Sequence, residues 1–546
     1  MTEQKNSSTS IRLPILLAIM LATGMFIGQQ LPHHDANIRL INPALNSAQK
    51  SGVIDEIFGY INAKYVDTVD LVTLKRETID HLLEQLDPHS VYMSPEELMH
   101  EDEVMNGNFE GIGIEFIMVD DTIQVVTPLS GGPSEAAGIL AGDKIVTIDD
   151  AKVAGIKISN TEIFKKLRGE KGSLVKVGIL RGVESKLRHF TLARDVIPVH
   201  SVDVAYMLDQ TTGYIKINRF SAPTYKEFME SVRPLVEEKG MKNLVLDLRG
   251  NPGGYLNEAT ELLSQFFPEG KLLVYTEGRT ERRTDYKSNG RARFNIQDIV
   301  VLIDEGSASA SEIVAGAIQD HDRGWVIGRR TFGKGLVQVP YTLSDGGALR
   351  LTISRYYTPS GRNIQRDYKN NADYNLEADR RLHNGELADP TRIKQADSTK
   401  FYTGMGRIVY GGGGITPDIF IPIDTSFATD YYFAARQHLS PFVARWLETQ
   451  EQGKLPNSAD AFVRQFKVSD QLYTDFITYV EKQGVEGNAQ QQAQSEYELR
   501  LQIKARIAKI LFKNEGLYQV LNDDDPAVEK ALQVLRSGKP VAQNSN

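Results

Sequence analysis

A serine attacks a carbonyl only if a neighbouring base takes its proton. The stretch Asp304-Glu-Gly-Ser-Ala-Ser-Ala-Ser-Glu312 and the turn Gly333-Lys334-Gly335 hold residues of the types such chemistry needs. Ser309 follows an apolar, strand-like run from Asp298 to Ile303, in a loop of small residues, and helical apolar spacing begins at Ile313. At a helix N-terminus its hydroxyl would sit among unpaired N–H groups that favour developing negative charge. The same residues also spell a capping box, Ser309-x-x-Glu312, in which the serine only satisfies an orphan N–H. Two side chains could act as base. His321 lies among charges in Gln319-Asp-His-Asp322 and reads as solvated. Lys334 lies between glycines after the strand-like Trp325-Val-Ile327, where small neighbours would allow its amine a close approach. A lysine base must be neutral, so its surroundings would have to desolvate it.

Other elements must hold these residues in place. The apolar strand Asn243-Leu-Val-Leu-Asp-Leu248 runs into Arg249-Gly-Asn-Pro-Gly-Gly254, and helical spacing resumes at Leu256, Ala259, Leu262, Leu263 and Phe266. Strand, glycine turn and helix make an anion-binding nest, and a serine that attacks a carbonyl needs such donors for the oxyanion it creates. The N–H of Ala310 with that of Gly253 or Gly254 is therefore the expected oxyanion hole, the alternative being a plain βα turn. Alternating strands and helices indicate an α/β core. Residues 367 to 407, polar and charged, read as a surface insertion within it.

Gly306-Ser-Ala-Ser-Ala-Ser-Glu312, Thr331-Phe-Gly-Lys-Gly335 and Gln338 resemble the active-site motifs of the C-terminal processing peptidases, or tail-specific proteases, which use a Ser–Lys dyad. The resemblance, covering roughly Ile54 to Pro422, implies that Ser309 rather than Ser307 or Ser311 is the nucleophile, that Lys334 is the base and that Gln338 supports it. It also implies a crotonase-like layered core within an α+β multidomain chain, and a dyad calls for no cofactor and no metal. Leu86-Asp-Pro-His-Ser90 resembles the segment that precedes the peptide-binding domain in the same family, with His89 structural.

Between 108 and 196 the pattern shifts to short strands, with a helix through Ile163 to Arg168. Phe109-Glu-Gly-Ile-Gly-Ile-Glu-Phe116 and Ala136-Ala-Gly-Ile-Leu-Ala-Gly-Asp143 resemble a PDZ domain, which binds an extended chain end along a sheet edge. The resemblance implies that the loop Gly111-Ile112-Gly113 offers its N–H groups to the terminal carboxylate and that Ile114 also binds the peptide. Arg168, at the end of the groove-lining helix, is either a sensor of the occupied groove or a solvated surface arginine.

The 546 residues are too many for one core. The segments expected are an export signal or membrane anchor (1–35), a helical module (45–105), the PDZ domain (108–196), the protease core (198–424) and a helical C-terminal region (425–546). The last serves packing, homo-oligomer assembly or partner binding, with a Gln-rich linker at Gln490–Gln494 and a disordered tail after Ser537. Lys5 and Arg12 precede the uncharged apolar run Leu13–Gly28, the layout of an export signal. No small-x-small cleavage site follows, so a retained anchor is expected, with the rest of the chain on the periplasmic side of the inner membrane. A net charge of −9 argues against a basic nucleic-acid surface, and the lack of cysteine excludes a thiol nucleophile, disulfides and Cys-ligated zinc.

The predicted function is a serine endopeptidase that holds the free, apolar C-terminus of exported proteins and cleaves upstream of it. Two rivals remain in the sequence. Gly328-Arg-Arg-Thr-Phe-Gly-Lys334 fits part of a phosphate-binding loop, but Gly335 replaces its Ser/Thr and Leu336–Pro340 reads as a strand where a helix must open. A membrane-tethered PDZ scaffold without turnover is the other.

Overall fold

The computed structural model describes residues 52–538, apart from 130, 141, 183–185, 370–373, 375, 394–398 and 452–453. The expected export segment at 1–35 and the tail from 539 onward lie outside the described residues. The chain divides into two compact units, with the break between Thr78 and Ile79. In the first, helix α1 (Val53–Lys64) precedes the start of α2 (Leu71–Glu84). Asp70 caps α2, accepting the Val72 N–H at 2.9 Å and the Thr73 hydroxyl at 2.7 Å. Lys75 lies 5.5 Å from the ring centre of Phe58.

The second unit opens on α3 (Pro95–Asn106), which starts in a Ser94/Glu97 capping box and stops at Gly107, in the left-handed region at φ 67°. The strand Asn108–Gly111 then pairs antiparallel with Asp195–Pro198, and this neck encloses a small antiparallel sheet. Its main strands are β1 (Ile114–Val119), β2 (Thr122–Pro128), β3 (Lys144–Ile148), β4 (Leu174–Leu180) and β5 (Arg188–Ala193), hydrogen-bonded in that order. Helix α4 (Asn160–Leu167) buries Ile163 and Leu167 with Ile123, Ile145 and Val177. Strand β1 is at the sheet edge.

The chain next builds a sheet of β6 (Val202–Met207), β7 (Thr212–Ile217), β8 (Asn243–Asp247), β9 (Ile299–Ile303) and β10 (Trp325–Gly328), completed by Ile419–Phe420. Only β6 and β7 run antiparallel; the other neighbours are parallel. Parallel strands covered on both faces read as unbroken apolar runs, which accounts for Ile299-Val-Val-Leu-Ile303. Ile215, Leu246, Val301 and Val326 face helices α5 (Thr224–Glu237), α6 (Leu256–Leu263) and α7 (Ala310–Asp320). On the other face Tyr214, Val245, Val300 and Ile327 meet Ala527, Val528, Ala531 and Leu535, from the last helix of the chain, Pro526–Ser537.

A second sheet carries the hairpin β11 (Leu336–Thr342) and β12 (Ala348–Tyr357), with Val91–Met93 and Leu272–Glu277 on β12. The described residues of 367–407 are mostly exposed, as expected of a surface insertion, but the segment also sends charges inward. Arg330, Arg381 and Glu386 are buried, Arg330 pairs with Glu386 at 2.7 Å, and Arg381 donates to the Thr331 carbonyl at 2.8 Å. Its charges pair with each other and with the backbone next to Lys334, which lets them leave water.

Helices α8 (Leu439–Glu448) and α9 (Ala489–Asn522) share an apolar cluster that includes Leu439, Phe442, Phe476, Leu499 and Ile503. The linker expected at Gln490–Gln494 is instead the first turn of α9. Asn488 caps it, accepting the Gln491 N–H at 2.9 Å, and glutamine is a good helix former. The break in α9 lies later, at Phe512 and Lys513.

Candidate active site

The three serines in the turn between β9 and α7 have different surroundings. The Ser307 hydroxyl donates to the Leu248 carbonyl at 2.8 Å, and the Ser311 hydroxyl donates to the Asn251 carbonyl at 3.0 Å. Both side chains are fully buried, and both bind this turn to the β8–α6 turn. Ser309 instead lines a cavity of about 490 Å³ together with Gly253, Gly254, Lys334, Gln338 and Arg350. Its backbone sits at φ 53°, ψ −114°. A helix cap needs only extended backbone there, so capping does not account for a left-handed serine. Such strain persists where the surroundings enforce it, as at the turn of an exposed nucleophile. The capping box is present too, with the Ser309 N–H donated to Glu312 Oε2 at 2.8 Å.

Glu312 does more than cap. Oε2 also accepts the Lys334 N–H at 2.8 Å, while Oε1 accepts the Gly333 N–H at 2.8 Å and the Thr331 hydroxyl at 2.6 Å. One buried carboxyl thus joins the serine turn to the lysine loop. Burial pushes it up to about 7, against the pull of these four donors. Tyr356 adds a second tie, its hydroxyl donating to the carbonyls of Ser309, at 3.1 Å, and Lys334.

Burial pulls Lys334 down to about 8, the Arg350 guanidinium adds to this, and the carboxylates of Glu101, Glu312 and Asp87 oppose it. Burial thus shifts Lys334 in the direction that a lysine base needs. Gln338 lines the same cavity and donates to Thr352 Oγ1 at 3.2 Å. Thr352 Oγ1 donates to Asp87 Oδ1 at 3.1 Å, and Asp87 also accepts the Ser90 hydroxyl at 2.6 Å. This is how the Leu86–Ser90 segment reaches the site. His89 is neutral, lowered to about 3 by burial and then by the Lys334 cation, and its Nε2 bonds the Tyr374 hydroxyl at 2.7 Å. His321 is not solvated as expected; its Nε2 donates to the Leu272 carbonyl at 2.6 Å, away from Ser309. The lysine loop leads into strand β11 and not a helix, which removes the phosphate-loop rival.

The oxyanion assignment narrows. The Gly253 N–H is donated to Asn251 Oδ1 at 2.8 Å, so it is not the free donor expected of it. Gly253 serves by its size, since a Cβ there would lie 2.7 Å from Ser309 Cβ and 2.8 Å from Ala310 N. Among the described residues the N–H groups of Gly254 and Ala310 have no hydrogen-bond partner.

A second cavity, about 710 Å³, lies along β1 and α4 and is lined by Gly111, Ile112, Gly113, Ile114, Phe164 and Arg168, among others. The carbonyls of Ile112 and Gly113 accept the N–H groups of Ser134 and Leu129, at 3.1 and 2.9 Å. Gly113, at φ 70°, passes so close to Ile197 that a Cβ would lie 3.0 Å from it. Arg168 is 35% exposed but engaged on its other side. It donates to Glu103 at 2.7 Å and lies 4.8 Å from the ring centre of Phe109. Glu103 belongs to α3, whose Leu98, Glu101, Asp102 and Met105 line the cavity of Ser309.

Sequence reasoning missed the wider role of Glu312, and it missed Arg350 and the Gln338–Thr352–Asp87 chain. Glu312 was visible only as a capping partner, and the other groups lie far away in sequence.

Three comparisons with known proteins say what the chain is similar to. The pattern of Peptidase family S41 matches residues 211–374, that of the PDZ domain matches 111–192, and a family of unknown function matches 431–513. A carboxy-terminal-processing protease of Bartonella bacilliformis is 36% identical over 358 residues, 64% of this chain and 80% of that protein. A Staphylococcus aureus protein named "Probable CtpA-like serine protease" is 34% identical over 57% of this chain and 62% of its own length. Among solved structures, the photosystem II D1 C-terminal processing protease is 31% identical, covering 58% of this chain and 84% of that one, with a TM-score of 0.32.

Proposed function

The chain belongs to peptidase family S41 and is a serine-type carboxyl-terminal protease, and from that premise we propose that it cuts with a Ser–Lys dyad of Ser309 and Lys334. The observation that carries this is a lysine drawn down to about 8 in one cavity with a strained serine. Neutral Lys334 takes the Ser309 proton as Oγ attacks the scissile carbonyl. The N–H groups of Gly254 and Ala310 hold the oxyanion, and the Lys334 ammonium returns the proton to the leaving amine. Water, deprotonated by the same lysine, then releases the acyl group from Ser309. Gln338 and Glu312 are positioning residues.

The PDZ domain binds peptide substrate, and in this reading its Gly111–Ile114 loop takes a free, apolar C-terminus of an exported protein. Arg168, through Glu103 and α3, couples the filled groove to the catalytic cavity. The core at 198–424 is read as crotonase-like, with the PDZ domain at 108–196 inserted between a helical module at 45–105 and the helical region at 425–546. Location outside the cytoplasm rests on Lys5, Arg12 and the run Leu13–Gly28. Among the described residues no helix is long and apolar enough to cross a membrane. Membrane fractionation of the full-length protein tests the tether, and recovery of a soluble form starting after this run would replace it with a cleaved signal.

The deciding experiment compares kcat/KM for one peptide with apolar last residues, as free acid and as amide, on the wild type and on Ser309→Ala and Lys334→Arg. Both variants are expected to be folded and inactive, because a guanidinium stays protonated. The amide is expected to lose roughly tenfold or more, since a charge-assisted bond to the carboxylate is worth about 1.5–3 kcal/mol. An active Lys334→Arg would end the dyad, and binding without turnover by the wild type would favour a scaffold.

A further inference from the structure

The groove along β1 has two walls, and only one of them belongs to the PDZ domain. Ile114, Phe116 and Met118 turn toward the domain's own apolar core, on the side of α4. Glu115, on the opposite face of the strand, pairs with Lys509 of α9 at 2.7 Å. The C-terminal helical region lies against this outer face at further points. Arg445 pairs with Asp120 just past the end of β1, and Glu448 pairs with Lys144 at 3.2 Å. Gln437, Ser440 and Pro441, around the start of α8, thereby enter the lining of the 710 Å³ cavity opposite Phe164 and Leu167.

Strand periodicity says what the added wall can read. A chain that adds to the β1 edge takes up the pleat of that edge, so its side chains alternate between the two faces. With the carboxylate at Gly111–Gly113, the last side chain enters the apolar pocket of Ile112 and Leu167, and that at position −2 follows it toward α4. Side chains at positions −1 and −3 then point the other way, where the PDZ domain itself offers only the outer face of β1, with Glu115 and Ile117. Here they meet an exposed glutamine amide, a serine hydroxyl and a proline ring held in the first turn of a helix.

We propose that Gln437, Ser440 and Pro441 form the second wall of the tail groove and select the residues at positions −1 and −3 of the bound peptide, favouring small or hydrogen-bonding side chains. The inference rests on the tail-binding reading above. It makes the C-terminal helical region a specificity element of the protease as well as a packing module.

The test uses the full-length chain carrying Ser309→Ala, so that nothing is cut, and fluorescence anisotropy with peptides that share an apolar last residue. Peptides with Ser at −1 and −3 are expected to bind about tenfold more tightly than those with Trp there, about 1.4 kcal/mol. Ser440→Trp is expected to weaken peptides with Trp or Leu at these positions by tenfold or more and to leave Gly at both within twofold. Gln437→Ala is expected to abolish the preference for Ser over Ala, and it disturbs no helix core, so it speaks even if Ser440→Trp unfolds in a thermal melt. Acid-dependent binding that is indifferent to −1 and −3, or variants that shift all peptides equally, would overturn the second wall alone. Equal binding of acid and amide would overturn the tail reading and this inference with it.

Discussion

Lowering the pH should shut the enzyme down in two steps, because two buried groups must both be deprotonated for the site to work. Lys334, drawn down to about 8, acts as a base only when neutral. Its neutral share is about one half at pH 8, about 9% at pH 7 and about 1% at pH 6. Glu312, pushed up to about 7, must be ionised to accept all four of its donors. A protonated carboxyl turns one oxygen into a donor and sets it against an N–H or O–H. Its ionised share is about one half at pH 7 and about 9% at pH 6. Both groups lose a proton as pH rises, so both place a limb on the acid side. A plot of log kcat/KM should climb with a slope near two below pH 7 and near one between about 7 and 8, then level off. At pH 6 the product of the two shares leaves activity about a thousandfold below the plateau. The assay is kcat/KM for a fluorogenic peptide with a free C-terminus between pH 5.5 and 9.5 at fixed ionic strength. A single limb near 6.5 would point to a histidine base, and a flat profile below 8 would refute a lysine base; either result defeats the reasoning.

Three substitutions follow from the same contacts. Glu312→Gln replaces an acceptor with a donor and leaves at least one loop N–H unpaired, a cost of about 1–3 kcal/mol. It should lower kcat/KM by roughly five- to 150-fold and reduce the slope below pH 7 from two to one, a change that destabilisation alone would not produce. Arg350→Met removes the cation that helps hold Lys334 down, so the upper limb should move to higher pH while the plateau survives, read from the same profile. Gly254→Ala places a Cβ 2.1 Å from the Phe220 carbonyl oxygen at φ 143°, so it should shift one oxyanion donor and abolish turnover, while an active-site titration still counts intact Ser309.

How much of this was legible in the sequence depended on how local the cause was. The core strands could be read because burial on both faces leaves an apolar run such as Ile299–Ile303. The capping pattern at Ser309 and the glycines at 253 and 254 are local as well. The buried charges within 367–407 and the helix at 490–494 were missed for one reason: composition tells whether a side chain is polar, not whether something far away pairs with it. Arg381 is charged in any sequence, but it is buried only because Glu377 and the carbonyl of Thr331 receive its donors. Gln490 to Gln494 look like a linker until Asn488 caps them and Tyr432 and Leu439 supply the cluster that holds α9.

Lys334 shows the limit most clearly. Its identity as a candidate base came from three neighbouring residues, but its basicity did not. The cavity around it is closed by Leu98 and Glu101 of α3, by Met93, by Gln338 on β11 and by Arg350 and Tyr356 on β12. Removing a wall of that cavity would return water to the amine and raise its affinity for a proton, even with every residue of the Gly333–Gly335 turn unchanged. A larger opening at α3 should therefore act on this enzyme as a pH shift. Because α3 also carries Glu103, the partner of Arg168 in the peptide groove, any displacement of this one helix would reach both the groove and the amine of Lys334.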